Sequence, residues 1–363
     1  KIPYGPAATQ YPDHSANRQL GVTGRSVNWL KLMSQKLNEN GGKIMTDTRA
    51  QEFIRDKAGN VVGVKATMTN GQKIDFSAKS VVLASGGYGA NRAMLPKKVA
   101  SYLFYGLDSE TGDGLAMGKK IGAGTINLDR VKQYPQGVET LPHHALAATA
   151  SSTDTMKKSG AIYVNRDGKR IVDELAGLGT LTKITEAQKD SIMYIVMDKA
   201  AWKQYVAKSL EDKLVASPSD LDKWAKIVNN GYPVMATSAK LADAAKTMGI
   251  NAKGLQATID RWNGFVKAGA DKDFGRKVLM PFGEGPYYIV EQKPRFQTTL
   301  GGLKANADMQ ILNKKGQPIG NLFGAGCVVG GANGSDSLTA MMNSWAIISG
   351  VVAGDSAVKN LKK

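Results

Sequence analysis

The strongest constraint on what this chain can fold into is the stretch Asn321 to Gly354, NLFGAGCVVGGANGSDSLTAMMNSWAIISGVVAG. A short apolar run ends in Gly324-Ala325-Gly326, passes Gly330-Gly331 and Gly334, and enters a long small-residue helix expected over about 337–353. Glycines packed this densely ahead of a helix let a backbone approach a flat or phosphorylated ligand, because no Cβ intervenes. Taken alone, the same loop could simply pack against its own sheet.

Two further stretches narrow the choice. Val81-Val82-Leu83-Ala84-Ser85-Gly86-Gly87-Tyr88 reads as a buried strand running into a glycine turn, and Thr298-Thr299-Leu300-Gly301-Gly302 is another glycine turn just upstream of the last loop. VVLASGGYGAN, TGDGLAMGKKIGA from Thr111, GAIYVNRDGKRIVDE from Gly160, TTLGGL and LFGAGCVVGG follow one another in that order. The series resembles the flavoprotein subunits of fumarate reductase and succinate dehydrogenase. The likeness is nearest to the soluble flavocytochrome c fumarate reductases and urocanate reductases, and it covers nearly the whole chain.

That resemblance implies an α/β fold: a Rossmann-like FAD-binding domain over 1–127 and 294–363 with a β-meander insert, and an α+β capping domain over 128–293. Family members carry a β-α-β unit with a Gly-x-Gly-x-x-Gly turn ahead of the point where this sequence starts. None occurs in these 363 residues, so a fragment or the trailing part of a processed protein is expected.

Residues 1–20 are polar and read as a loop. Periodicity predicts a helix over 26–40, strands over 43–48, 48–56, 61–69 and 72–77, and a helix over 113–121 with Asp113 as its N-cap. In the capping region, strands are expected over 160–165 and 169–172. Helices are expected there over 185–190, 199–207, 218–229, 238–248 and 251–268, the last with Trp262 and Phe265 in the core.

Composition excludes other chemistries. One cysteine, Cys327, leaves no internal disulfide or multi-cysteine metal site, and a total of three histidines argues against a histidine-rich metal centre. The net charge of +17 suits an anionic ligand or an acidic redox partner. The lysines are scattered along amphipathic helices rather than gathered with aromatics, which argues against nucleic acid. No apolar run reaches the roughly eighteen residues of a membrane span.

Reduction of an activated alkene by a flavin needs a proton donor opposite the hydride and positive charge where the carbonyl gathers electron density. The family supplies these from arginines and histidines. Matched residue by residue, Leu178 stands for the proton-donating arginine, Ser337 for the clamp arginine, Gln297-Thr298 for the histidine pair and Tyr134 for the histidine before proline. Only Thr153-Asp154 keeps the polar-acidic character of the family's Thr-Glu pair. Fumarate is therefore not the expected substrate, since a dicarboxylate without an arginine is poorly held.

The remaining candidates for catalysis are Tyr134, Tyr287 or Tyr288, with Thr153 and Asp154 as the retained polar pair; Arg295 and Lys183 are weaker candidates that read equally as solvated surface charges, and His143-His144 reads as a loop pair. The resemblance places the cofactor against Ala84, Ser85, Gly86, Gly87, Asp113, Gly301, Gly302, Gly324, Gly326, Cys327, Ser337, Leu338 and Thr339. It implies FAD, an unsaturated small-molecule substrate, and an external electron donor in the form of a haem or FMN domain or protein. An envelope or periplasmic location is expected, with the cytoplasm as alternative. The competing reading is a flavin-binding electron relay, or a catalytically degenerate module of the same fold.

Overall fold

The computed structural model describes residues 4–6, 15–16, 20–22 and 25–361. These divide into two compact units. The first comprises 1–96, 107–132 and 298–363, and the second comprises 97–106 and 133–297. The segment 97–106, within the stretch expected to be FAD-binding, clusters with the second unit.

In the first unit, Val81–Leu83 pairs in parallel with Pro318–Gly324, which pairs in turn with Gln310–Leu312. Parallel strands need a crossover and burial on both faces, as in dinucleotide-binding sheets. The helix Met341–Asn360 packs on this sheet, where Phe323, Ala325 and Ala353 form a small core. A separate antiparallel meander joins Thr48–Arg55, Val61–Met68 and Lys73–Ser77. Its turns are the Asp56-to-Asn60 and Thr69-Asn70-Gly71 loops read from the sequence, with Gly59 and Gly71 at positive φ.

The second unit is built on a mixed seven-stranded sheet whose longest member is Tyr287–Thr299. One face of its central strands carries Met193, Ile195 and Tyr163, which pack with Trp224 of the 3-10 turn Lys223–Lys226 against the helices Thr149–Lys158 and Lys199–Glu211. Alternate residues Tyr194 and Val196 meet Leu241–Thr247 and Ala252–Ala268, with Trp262 and Phe265 buried among them. Val, Ile, Met and Tyr on both faces of Met193–Met197 are what a fully covered strand requires.

Several boundaries differ from the sequence reading, for identifiable reasons. Residues 43–47 form no strand. The helix expected over 185–190 is Leu178–Glu186, which begins directly after Gly177 in an extended conformation. The helix expected over 218–229 ends by Lys226, and Val228–Asn229 turns back on Tyr232–Pro233. Asn230 and Gly231, both at positive φ, make the tight turn that stops it. Arg170 makes one bridge to Val164 rather than a strand over 169–172. The last helix starts at Met341, because Ala340 at φ +65° interrupts any earlier start. The helix over Asp113–Lys120 is capped by Gly112 at φ +78°, and Asp113 is its first residue. Of the 1–20 loop, 4–6 pairs with 20–22, and the rest lies outside the described residues apart from 15–16. No helix among the described residues is long and apolar enough to cross a membrane.

Candidate cofactor cradle and substrate-side cluster

The glycine turn after Val81–Leu83 is braced by the loop ahead of Asp113–Lys120. Gly112 N–H donates to Gly87 O at 3.1 Å, Ala90 N–H to Glu110 O at 3.1 Å, and Asn91 Nδ2 to Thr111 O at 3.0 Å. Gly86 sits at φ +75°, a conformation a side chain would strain. Gly87 is required by space: a Cβ there would lie 2.4 Å from Thr299 Oγ1 and 3.3 Å from Glu110 Oε2.

Both of those oxygens are buried without a hydrogen-bond partner. Burial alone pushes the Glu110 carboxyl up to about 7. Beside them, Thr298 Oγ1 and Cys327 Sγ lie 3.3 Å apart. Burial raises the Cys327 thiol, the Thr298 contact lowers it, and the Glu110 charge raises it further. Orphaned polar atoms around a glycine turn are what a polar cofactor would satisfy. The first unit therefore fits a group such as FAD at Gly86, Gly87, Glu110 and Thr299.

The other expected cofactor contacts fall in several places. Ala84 and Ser85 are exposed at the end of the parallel strand, and a Cβ on Gly114 would meet Ser85 Oγ at 2.0 Å, so helix and turn touch there. Asp113 is held by Arg49 through two hydrogen bonds of 2.6 and 2.8 Å, which lower its carboxyl. Gly301 and Gly302 admit neighbouring backbone: added Cβ atoms would lie 2.1 Å from Asn127 O and 2.4 Å from Val328 O. Gly324 packs on Ile311 and Val329. Gly326 gives its N–H to Ser349 Oγ at 2.9 Å and its carbonyl to Trp345 Nε1 at 3.1 Å. Ser337 is buried with its hydroxyl on Leu338 O, Leu338 is exposed, and Thr339 is half-buried. Glu110 and the Thr299 hydroxyl were missed as cofactor-side groups. An acidic residue directly before Thr111-Gly112-Asp113-Gly114 was the available signal.

In the second unit, Arg295 is 3% exposed. Its guanidinium carbon lies 4.2 Å from the Tyr134 ring centroid and 4.9 Å from that of Tyr105. Nη2 donates to Thr149 Oγ1 at 3.0 Å and Nε to Gln136 O at 3.3 Å, while Nη1 is buried without a partner. No ion pair is found for it among the described residues. Burial pulls the group down to about 10, so it stays charged at neutral pH. An uncompensated buried cation costs several kcal/mol, which a bound oxyanion would offset.

The structure thus brings Tyr134 and Arg295 together and adds Tyr105 and Thr149. Thr153 and Asp154 stand on the helix that begins at Thr149, with Asp154 paired to Lys158 at 2.9 Å. Tyr288 is taken up by a stack on Trp202 at 4.3 Å, and Tyr287 by one on Phe282 at 5.9 Å. Lys183 is exposed. His143 forms a turn at φ +65°, and His144 packs edge-on to Phe104. Among the described residues no group of three or more potential metal ligands occurs.

A family model described as "FAD binding domain" matches residues 7–341. Urocanate reductase of Eggerthella lenta is 33% identical over 98% of this chain and 57% of its own length. Fumarate reductase (cytochrome) of Shewanella frigidimarina is 29% identical over 96% of this chain and 57% of its own. The open conformation of a flavocytochrome c3 fumarate reductase superposes with a TM-score of 0.75 at 25% identity, covering 96% of this chain and 59% of that one. The chain spans little more than half the length of these relatives. On these matches, and with a cradle that fits the cofactor, the chain belongs to the FAD-binding family of fumarate reductase flavoproteins, and FAD is its cofactor.

Proposed function

We propose that the protein reduces, or in reverse forms, a carbon–carbon double bond conjugated to a carbonyl, on a substrate other than fumarate. The relatives are named for reduction of urocanate and fumarate, which supports the reaction class. The observation that carries the reading is the buried, carboxylate-free guanidinium of Arg295 over Tyr134. FAD, when bound, supplies the hydride chemistry.

The chain's own residues supply the rest. Arg295 Nη1 donates to the substrate carbonyl or carboxylate oxygen as negative charge builds there, with Thr149 and Gln136 fixing the plane of the guanidinium. Tyr134, at the position of the family's histidine, gives the proton. Thr153 and Asp154 line the same helix as Thr149 and sustain its polarity, while Tyr288 keeps a packing role. Electrons come from an external haem or FMN donor, and an extracytoplasmic location suits the cytochrome-linked relative.

The test is anaerobic: photoreduce the flavoprotein, add enones or cinnamates, and follow flavin reoxidation. Arg295→Gln is expected to slow reoxidation about 100-fold with the flavin spectrum intact. Reoxidation by quinones, with no activated alkene effective, would replace this reading with the electron-relay one.

A further inference from the structure

The cofactor cradle holds one group that neither the family comparison nor the proposed reaction uses. Glu110 presents Oε2, buried and unpartnered, to the space that a Cβ of Gly87 would fill, beside the equally unpartnered hydroxyl of Thr299, a residue with 0% exposure. A carboxylate buried at this turn without a partner is opposed by desolvation, and negative charge on a bound cofactor adds Coulomb repulsion. A carboxylic acid in the same place can instead donate a hydrogen bond.

We propose that Glu110 is a positioning residue for FAD that enters the complex as the neutral acid, so that binding the cofactor takes up one proton from solvent at alkaline pH. The inference goes beyond the reaction proposed above and does not depend on its substrate.

The surroundings favour the neutral form. Around Glu110 stand the Thr299 hydroxyl, at the end of the strand Tyr287–Thr299 and against the same Gly87 space, and the Cys327 thiol, which is bonded to Thr298 and disfavoured as an anion by the Glu110 charge. On its own loop, Asp108 stands two residues before it. On the following helix Asp113 is neutralised by Arg49. Burial is the cause that raises the Glu110 carboxyl, and among the described residues no cation pairs with it. Its backbone is fixed, since Glu110 O accepts from Ala90 and Glu110 N donates to Leu107 O at 2.9 Å. The main chain that carries the side chain is thus tied to the turn whatever the charge state.

The linkage has a definite sign. With the free carboxyl titrating near 7 and the bound one neutral, affinity is independent of pH below 7 and falls toward tenfold per pH unit above it. Between pH 6 and 8.5 the dissociation constant for FAD is expected to rise about 30-fold.

The experiment is calorimetric titration of the deflavinated native protein with FAD across this range, in buffers of different ionisation enthalpy. About one proton should be taken up per FAD at pH 8.5 and almost none at pH 6. Glu110→Gln should keep the acid-side affinity and abolish both the slope and the uptake. A flat wild-type profile, or a slope that survives in Glu110→Gln, overturns the proposal. If the variant does not fold, the carboxylic-acid C=O stretch in the infrared difference spectrum of the wild-type complex at pH 8.5 decides. A lost carboxylate band with a new acid band supports the proposal, and an unchanged carboxylate band overturns it.

Discussion

Arg295 lies over Tyr134: the guanidinium carbon is 4.2 Å from the ring centroid, both side chains are buried, and among the described residues no carboxylate pairs with the cation. On the same strand, Lys293 takes the nearby acids for itself, at 2.6 Å from Glu139 and 3.0 Å from Glu291. The charge on Arg295 is left for a ligand.

Replacing Arg295 by Met should therefore separate stability from function. The unpaired charge and its unpartnered Nη1 disappear, but so do two ring contacts and two hydrogen bonds, so these effects largely cancel and stability should change by no more than about 1–2 kcal/mol. Denaturant unfolding would measure this beside a loss of about 100-fold or more in turnover.

The opposite behaviour is expected at Glu174. This fully buried carboxylate accepts two bonds from Arg170, at 2.7 and 2.8 Å, and one from Arg276 at 3.3 Å, and both guanidinium groups lie over Trp262. Glu174→Ala takes from Arg276 the one carboxylate paired with it among the described residues and leaves Arg170 with Asp271 alone. A loss of about 3–5 kcal/mol in the unfolding free energy is expected.

Glu110 also predicts a pH dependence of stability in the cofactor-free protein. Its folded carboxyl is raised to about 7 from 4.5, so the folded state binds more protons than the unfolded one between these values. Stability of the first unit should fall as pH rises from about 4.5 to 7 and then level off. Solvent screening holds the effect to about 1–2 kcal/mol. Thermal melts across this range should lose part of that slope in Glu110→Gln.

Cys327 is half-buried, and its thiol is raised by burial. Alkylation by iodoacetamide at pH 8 should be slower than for a free thiol, rise with pH beyond the usual cysteine range, and slow further when FAD is bound. Mass spectrometry of the modified chain would show it.

Much of the fold was legible because glycine turns and hydrophobic period carry local information. The meander, the parallel strand Val81–Leu83 and the helix Ala252–Ala268 all follow from patterns within about twenty residues. What was not legible depended on distant contacts or on single dihedrals. Asp113 reads as an N-cap until Gly112 at φ +78° is seen to take that place, while Arg49, sixty-four residues away, holds the Asp113 carboxylate. Ala340 at φ +65° delays the last helix in a way no propensity announces. Arg295 looked like a surface charge beside Pro294, and only its burial between two tyrosine rings made it a stronger candidate than Tyr288.

Gly302 and Gly330 meet so closely that a Cβ on Gly330 would stand 2.4 Å from the amide nitrogen of Gly302, and one on Gly302 would stand 2.7 Å from that of Gly330. Backbone pressed on backbone leaves selection almost nothing to vary on that side of the first unit. Changes in how this protein treats its flavin should therefore be channelled into cradle positions that carry side chains, among them Glu110, Thr298, Thr299 and Cys327.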